Sequence, residues 1–222
     1  MICPNCLKTY PKNHHFWEVL GIKTEVAFFT CRTCQEKFHY LEKNKCQGCA
    51  RNCSDQYCSD CLKWQEVYPE KVSHEAIFTY DENFSQWMDD YKFKGAYHLR
   101  FTFQKELKKI FCNTKEVIVP IPISEKRLKE RGFNQVEGLL EGAGISYVSL
   151  LEKSCEVTPQ SKQGKKERMA LPQVFRVKKD LKVTKPIILF DDVYTTGTTL
   201  VRAQEMLEKN GYKVVKTVSL AR

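Results

Sequence analysis

The longest apolar runs lie in the second half of the chain. Glu116-Val117-Ile118-Val119-Pro120-Ile121-Pro122-Ile123 and Ile187-Ile188-Leu189-Phe190 have the near-continuous hydrophobicity of strands buried on both faces. The prolines end the first run. The second leads through Asp191-Asp192-Val193-Tyr194-Thr195-Thr196-Gly197-Thr198-Thr199 into a predicted helix with Leu200, Ala203 and Leu207 on one face. Gly211 ends that helix and Lys213 to Leu220 returns as a strand, so the segment predicts a βαβ unit with its polar residues at the first turn. Upstream, Ala76 to Tyr80 predicts a strand and Phe84 to Tyr91 a helix. Ser124 caps a helix carrying Glu125, Lys126, Arg127 and Lys129, and Arg131-Gly132-Phe133-Asn134-Gln135 opens another that runs to about Glu141. Ser146 to Leu151 predicts a short strand, while Lys153 to Arg176 has little apolar periodicity and reads as a loop. Two patterns fit Tyr91-Lys92-Phe93-Lys94-Gly95: a half-buried strand, or a platform on which Phe93 stacks a base of single-stranded nucleic acid.

Before residue 68 the pattern changes. The chain has 222 residues and 11 cysteines, nine of them between Cys3 and Cys61. Four C-x-x-C pairs follow in order, Cys3/Cys6, Cys31/Cys34, Cys46/Cys49 and Cys58/Cys61. The two-residue spacer of such a pair folds into a knuckle that points both sulfurs at one ion, and two knuckles complete a tetrahedral four-sulfur site. Pairing neighbours predicts two structural Zn²⁺ sites, one on Cys3, Cys6, Cys31 and Cys34 and one on Cys46, Cys49, Cys58 and Cys61. Spacing alone leaves open a crossed pairing, and ligation by Cys53, His14, His15 or His39. The expected organisation is a small double zinc ribbon over residues 1–68 and an α/β domain with a parallel sheet over residues 69–222. No export signal and no apolar run of the ~20 residues that span a bilayer are found, so a soluble cytoplasmic protein is expected.

The formal charge is +9, from 36 Lys and Arg against 27 Asp and Glu. Between Lys153 and Lys185 ten basic residues, including Lys162, Lys165, Lys166 and Arg168, face three acidic ones. Such a run suits phosphate-rich partners, and a solvated loop explains it equally well.

The junction after Phe190 is the part with most chemistry. Thr195, Thr196, Gly197, Thr198 and Thr199 can present backbone N–H groups to one phosphate at the positive end of a helix dipole. Asp191 and Asp192, at the carboxyl end of the strand, stand where the hydroxyls of an attached sugar would lie. G-x-x-x-x-G-K-[ST] is absent, and so is G-x-G-x-x-G after a strand.

The segment Ile187 to Leu200 resembles the 5-phosphoribosyl 1-pyrophosphate signature of type I phosphoribosyltransferases. Together with Val119-Pro120-Ile121-Pro122, Arg131-Gly132-Phe133-Asn134-Gln135 and the paired knuckles, it makes the whole chain similar to the ComF family. That resemblance implies a type I phosphoribosyltransferase-like parallel sheet, with Asp191 and Asp192 on ribose hydroxyls, Thr195 to Thr199 on the 5-phosphate, and Mg²⁺ bridging sugar and pyrophosphate. Arg127 and Arg131, with Lys126 beside them, would face the pyrophosphate. It further implies a competence factor in natural transformation that binds single-stranded DNA. Such a factor acts at the inner membrane face beside a ComFA-like helicase/translocase and the DNA channel. The alternative is a working enzyme that transfers phosphoribosyl to a nucleobase or amine. Two departures loosen the catalytic roles: Ala96 follows Gly95 where relatives often carry an acid, and Met169-Ala170-Leu171 follows Arg168 without the asparagine often found in the flexible loop.

The charge pattern makes one expectation quantitative. Each phosphate neutralised on a single strand contributes about −0.7 to the log–log salt slope. Replacing Lys162, Lys165, Lys166 and Arg168 by Ala should weaken single-strand binding and flatten that slope, whereas Phe93→Leu should weaken binding at unchanged slope. Salt titrations by fluorescence anisotropy measure both; wild-type affinity and slope in the four-Ala variant would remove the loop from the interface.

Overall fold

The computed structural model describes residues 2–10, 30–42, 44–69, 71, 73–153 and 173–222. Lys162, Lys165, Lys166, Arg168, His14 and His15 lie outside the described residues.

Two short helices belong to the cysteine-rich part, α1 (Arg32–Gln35) and α2 (Ser59–Val67). The remainder runs β1 (His74–Phe78), α3 (Glu82–Phe93), a 3₁₀ turn (Tyr97–Phe101), α4 (Gln104–Phe111), β2 (Val117–Pro120), α5 (Glu125–Arg131), α6 (Gln135–Gly142), β3 (Leu151–Lys153), β4 (Phe175–Val177), β5 (Ile187–Val193), α7 (Thr198–Lys209) and β6 (Val214–Ala221). Four strands form a parallel sheet in the order β1-β6-β5-β2, and β3 pairs with β4 in a separate antiparallel ribbon. This is the expected α/β class.

Alternation along the central strand β5 explains the two cores. Ile188 and Phe190 join Ile118 and Val218 on one face, under Phe84, Trp87 and Tyr91 of α3, Leu107 of α4 and Leu139 of α6. Ile187 and Leu189 pack with Val119 on the other, under Leu200, Ala203 and Leu207 of α7. A strand covered on both sides has no solvent face to keep polar, which is why its sequence is uniformly apolar up to Asp191.

Three local expectations are corrected. Tyr91 to Phe93 is the last turn of α3 rather than a strand, because Tyr91 sits three and four residues beyond Met88 and Trp87 on the buried face of that helix. Ser146 to Leu151 is mostly irregular, and the strand begins only at Leu151, where β4 supplies a partner. The strand before Ser124 ends at Pro120. The 3₁₀ turn and α4 were not anticipated.

The cysteine-rich part is stitched to the sheet across the expected 68/69 division. Phe38 is buried against Phe78, Phe84, Trp87 and Phe103, and Tyr40 bridges to Phe78. Tyr68 donates its hydroxyl to Glu208, and Lys71 donates to the Gly48 carbonyl at 2.8 Å.

Candidate functional site

The first and third knuckles have the same construction. In each, the first cysteine amide donates to a carbonyl five residues on, Cys3 to Lys8 and Cys46 to Arg51. Each turn also carries a residue in the left-handed region, Leu7 (φ 58°) and Ala50 (φ 59°). The second and fourth knuckles start helices, with Cys31 and Cys58 extended at the N-caps of α1 and α2. The Cys31 amide then donates to Cys3 Sγ at 3.3 Å and the Cys58 amide to Cys46 Sγ at 3.2 Å.

The sulfurs of Cys3, Cys6, Cys31 and Cys34 lie within 4.8 Å of one another, as do those of Cys46, Cys49, Cys58 and Cys61. Four sulfurs about 2.3 Å from one ion at tetrahedral corners stand about 3.8 Å apart. Cys6 and Cys31 are separated by 3.8 Å and Cys49 and Cys58 by 3.6 Å, so both clusters fit a zinc-sized ion. The pairing of neighbours is thus the one the fold adopts. Cys53 donates to the Asp55 carbonyl and His39 pairs with Asp81, so neither completes a cluster. A hydrogen bond from Cys61, partly opposed by burial, draws Cys49 down to about 4, with the Arg51 amide and the Arg222 guanidinium adding to the effect. Cys61 is pushed up in turn.

At the carboxyl end of β5, Asp191 and Asp192 are both buried. Their carboxylates curl back on the chain, Asp191 Oδ1 accepting from the Asp192 amide at 2.9 Å and Asp192 Oδ1 from the Val193 amide at 2.8 Å. Burial and the adjacent Asp192 carboxylate push Asp191 up to about 8. Burial acts on Asp192 in the same direction and is outweighed by Lys92, whose Nζ lies 2.6 Å from Asp192 Oδ2, and by a hydrogen bond from Gln135. Asp192 is therefore held ionised. Lys92 stands on the last turn of α3 and was hidden inside a stretch that reads as a strand.

Every residue of Arg131-Gly132-Phe133-Asn134-Gln135 has a part in building this corner. Gly132 takes φ +83° as the C-cap of α5, a conformation that side chains with a Cβ rarely adopt. Phe133 packs on Tyr91 and Tyr97 at centroid distances of 5.2 and 4.6 Å. Asn134 caps α6 by accepting from the Val136 amide, and its own amide donates to the Ile121 carbonyl at 3.3 Å, tying the helix to the exit of β2. Gln135 accepts a hydrogen bond from Arg131 and reaches Asp192. Arg131 is half-buried; burial lowers its pKa, Asp192 opposes the shift and Arg127 adds to it, which places both arginines in the field of the site. The Arg131 guanidinium also lies 5.4 Å from the ring centre of Phe93, which is 73 % exposed.

The turn after Val193 joins this corner covalently. Gly197, at φ +83°, is the N-cap of α7, and a Cβ there would collide with the Tyr194 hydroxyl. Thr196 and Thr198 share a hydroxyl contact at 3.0 Å, while Thr195 and Thr199 are exposed. The structure thus brings Asp191, Asp192, Arg131, Arg127 and Phe93 into one neighbourhood, with Thr195 to Thr199 directly following. Lys92 and Gln135 complete it, and the alternating charge of Tyr91 to Lys94 was the only sequence signal for Lys92.

A parallel α/β sheet with carboxylates at a strand end, a threonine-rich turn into a helix and two four-sulfur clusters defines an α/β protein with a cysteine-knuckle module. No family model matches the chain. It is 40 % identical over its whole length, and the whole of the relative, to the competence protein ComFC of Streptococcus pneumoniae. It is 31 % identical to ComFC of Bacillus subtilis over 86 % of this chain and 83 % of that protein, and 25 % identical to competence protein F of Haemophilus influenzae over 87 % and 97 %. The chain belongs to the ComFC family of competence proteins. Among solved structures it is similar to an allosteric regulatory enzyme of purine biosynthesis (18 % identity, TM-score 0.37), covering 56 % of this chain but only about a quarter, 26 %, of that one. It is also similar to the adenine phosphoribosyltransferases of Leishmania tarentolae (20 %, TM-score 0.33, covering 52 % and 54 %) and Saccharomyces cerevisiae (18 %, TM-score 0.34, covering 58 % and 69 %).

The Lys92–Asp192 pair makes a prediction with a sign. Because the Asp192 pKa is depressed in the fold, the pair contributes stability above the ordinary carboxylate range, and this is lost as pH falls through the folded pKa. Lys92→Met strands a buried carboxylate and should destabilise the protein by about 3 kcal/mol near pH 7. The penalty should be smaller at about pH 4, because without Lys92 burial lifts the variant's Asp192 above the ordinary carboxylate range, so that it has already taken up a proton there. Urea midpoints at the two pH values measure this, and an equal loss at both would show that the pair is not what holds the corner.

Proposed function

We propose that this protein is a ComFC-like factor for DNA uptake in natural transformation, whose α/β domain binds a phosphoribosyl pyrophosphate-type ligand with Mg²⁺. The observation that carries the reading is the assembly at the end of β5. Two buried carboxylates, one of them held ionised, share a corner with two arginines and run straight into a threonine-rich turn at a helix N-terminus. Carboxylates recognise sugar hydroxyls, arginines match the fork of phosphate oxygens, and the turn offers amides to a terminal phosphate. Hard oxygen donors suit Mg²⁺, which is ordinarily bound through one or two carboxylates plus substrate phosphates and would neutralise pyrophosphate charge here.

The two cysteine clusters hold structural Zn²⁺ in this reading, supported by sulfur separations that match a tetrahedral ion. Single-stranded DNA is the second ligand. Phe93, exposed under the Arg131 guanidinium, is a ready stacking surface beside the phosphate corner, and the basic segment around Lys162 to Arg168 adds charge. A ComFA-like translocase supplies the motor at the inner face of the membrane. No helix among the described residues is long and apolar enough to cross a bilayer.

Calorimetry with phosphoribosyl pyrophosphate and Mg²⁺ tests the ligand. Replacing Asp191 and Asp192 by Asn keeps their shape and removes the ionised acceptor at Asp192, which contributes roughly 1.5–3 kcal/mol, so affinity should drop at least ~10-fold in a folded protein. An unchanged dissociation constant would place the ligand elsewhere. For the metal, native mass spectrometry should find two Zn²⁺ per chain; one at full occupancy would defeat the two-cluster assignment. Steady pyrophosphate release with a panel of nucleobases would turn the reading into that of an active transferase.

A further inference from the structure

The two cysteine clusters are built alike but sit in different surroundings. Cys46, Cys49, Cys58 and Cys61 are buried in the same apolar cluster as Val119, Ile121, Tyr194 and Leu200, beside the threonine-rich turn. Trp64 lies one helical turn beyond Cys61 on α2, is 4 % exposed, and donates its indole N–H to the Thr196 carbonyl at 2.9 Å. Arg222 donates to the carbonyls of Thr195 at 2.8 Å and Tyr194 at 3.2 Å, stacks on the Tyr194 ring at 4.8 Å, and lies 3.6 Å from Cys49 Sγ. Three consecutive carbonyls, those of residues 194 to 196, are thus held by donors anchored at the second cluster.

Peptide geometry turns this into a statement about the anion side. Across a planar trans peptide the C=O of one residue and the N–H of the next point in opposite directions. Fixing the carbonyls of Tyr194, Thr195 and Thr196 toward the cluster therefore aims the amides of Thr195, Thr196 and Gly197 away from it. None of these amides has an acceptor among the described residues. Carbonyl dipoles turned toward an anion would repel it, whereas N–H groups held in place need no reorganisation to bind one.

We infer that Trp64 and Arg222 are positioning residues for the anion loop, and that the second cysteine cluster is the rigid base from which they act. Resting on the ligand proposed above, this makes ligand affinity and metal retention at Cys46, Cys49, Cys58 and Cys61 reciprocally linked, because a coupling free energy between two sites is the same in both directions. The cluster of Cys3, Cys6, Cys31 and Cys34 has no described contact with the loop and stays outside the linkage.

Hydrogen exchange on the zinc-loaded full chain tests the loop without any ligand. Trp64→Phe keeps the ring and removes the donor, and Arg222→Lys keeps the charge but loses the fork. Peptides covering residues 194–202, where the Tyr194 amide is held by the Ala221 carbonyl and the Val201 amide by the Gly197 carbonyl, should exchange faster in either variant, with urea midpoints and the rest of α7 little changed. Phosphoribosyl pyrophosphate should bind Trp64→Phe about 5-fold more weakly, the effect of one ordinary hydrogen bond. Metal release to a colorimetric chelator supplies the reciprocal arm. Phosphoribosyl pyrophosphate should slow release of one of two zinc ions in wild type, and less so in Trp64→Phe. Unchanged loop exchange in both variants, or ligand that slows both ions equally, would overturn the inference. Faster loop exchange in the variants, with wild type binding no phosphoribosyl pyrophosphate, would support the positioning role and sink the ligand reading instead.

Discussion

Two neighbouring carboxylates buried at the end of one strand cannot both remain ionised in a poorly solvated corner unless a cation is brought to them. In this chain the cation is Lys92, and much of the α/β domain is arranged around delivering it. It comes from the last turn of α3, whose buried face of Phe84, Trp87, Met88 and Tyr91 fixes the rotation of that helix against the sheet. Lys92 draws Asp192 down, while burial and the adjacent Asp192 charge push Asp191 up. The same corner then holds one fixed negative charge and one carboxyl that ionises around neutrality.

The Arg131 to Gln135 segment supplies the rest of the corner, and does so mainly as architecture. Gly132 stops one helix and Asn134 starts the next, so that α6 begins directly beside the exit of β2. That turn is what lets Arg131 and Gln135, four residues apart, converge on Asp192 from the end of the sheet. The motif is specific because the cap, the turn and the polar groups that meet at Asp192 share five consecutive residues.

The two halves of the cysteine module share one construction and differ in their surroundings. Both clusters repeat the same knuckle and helix-start geometry, down to the left-handed residues Leu7 and Ala50. The residues between and after the knuckles give each its own neighbours. Phe38, following the first cluster, enters the core on the α3 side of the sheet, while the second cluster packs under α7 and the loop that follows β5. A module that would be too small to build its own core is thereby used to brace opposite faces of a larger one.

Some of this was legible in the order of residues alone. The buried strands β2 and β5, the βαβ unit closing with β6, the cap at Ser124, and the four knuckles all rest on local rules: apolar runs, helical periodicity, capping chemistry and the C-x-x-C spacer. Asp191, Asp192 and the threonine turn could be singled out because strand, acids, turn and helix are contiguous. Lys92 could not, since its partner lies one hundred residues away and the alternation around it has the same period as a strand. Trp64 and Arg222 were silent for the same reason, as was the part Gln135 plays within its motif, each acting through a contact 27 to 132 residues distant that exists only once the sheet has closed. Neighbour pairing of the knuckles was suggested by spacing and decided by the fold, which alone could bring four sulfurs within reach of a single ion. Local sequence determined which elements form and where polar groups interrupt them; the tertiary structure decided which of those groups meet, because burial, charge pairing and the direction of a carbonyl are properties of neighbours in space.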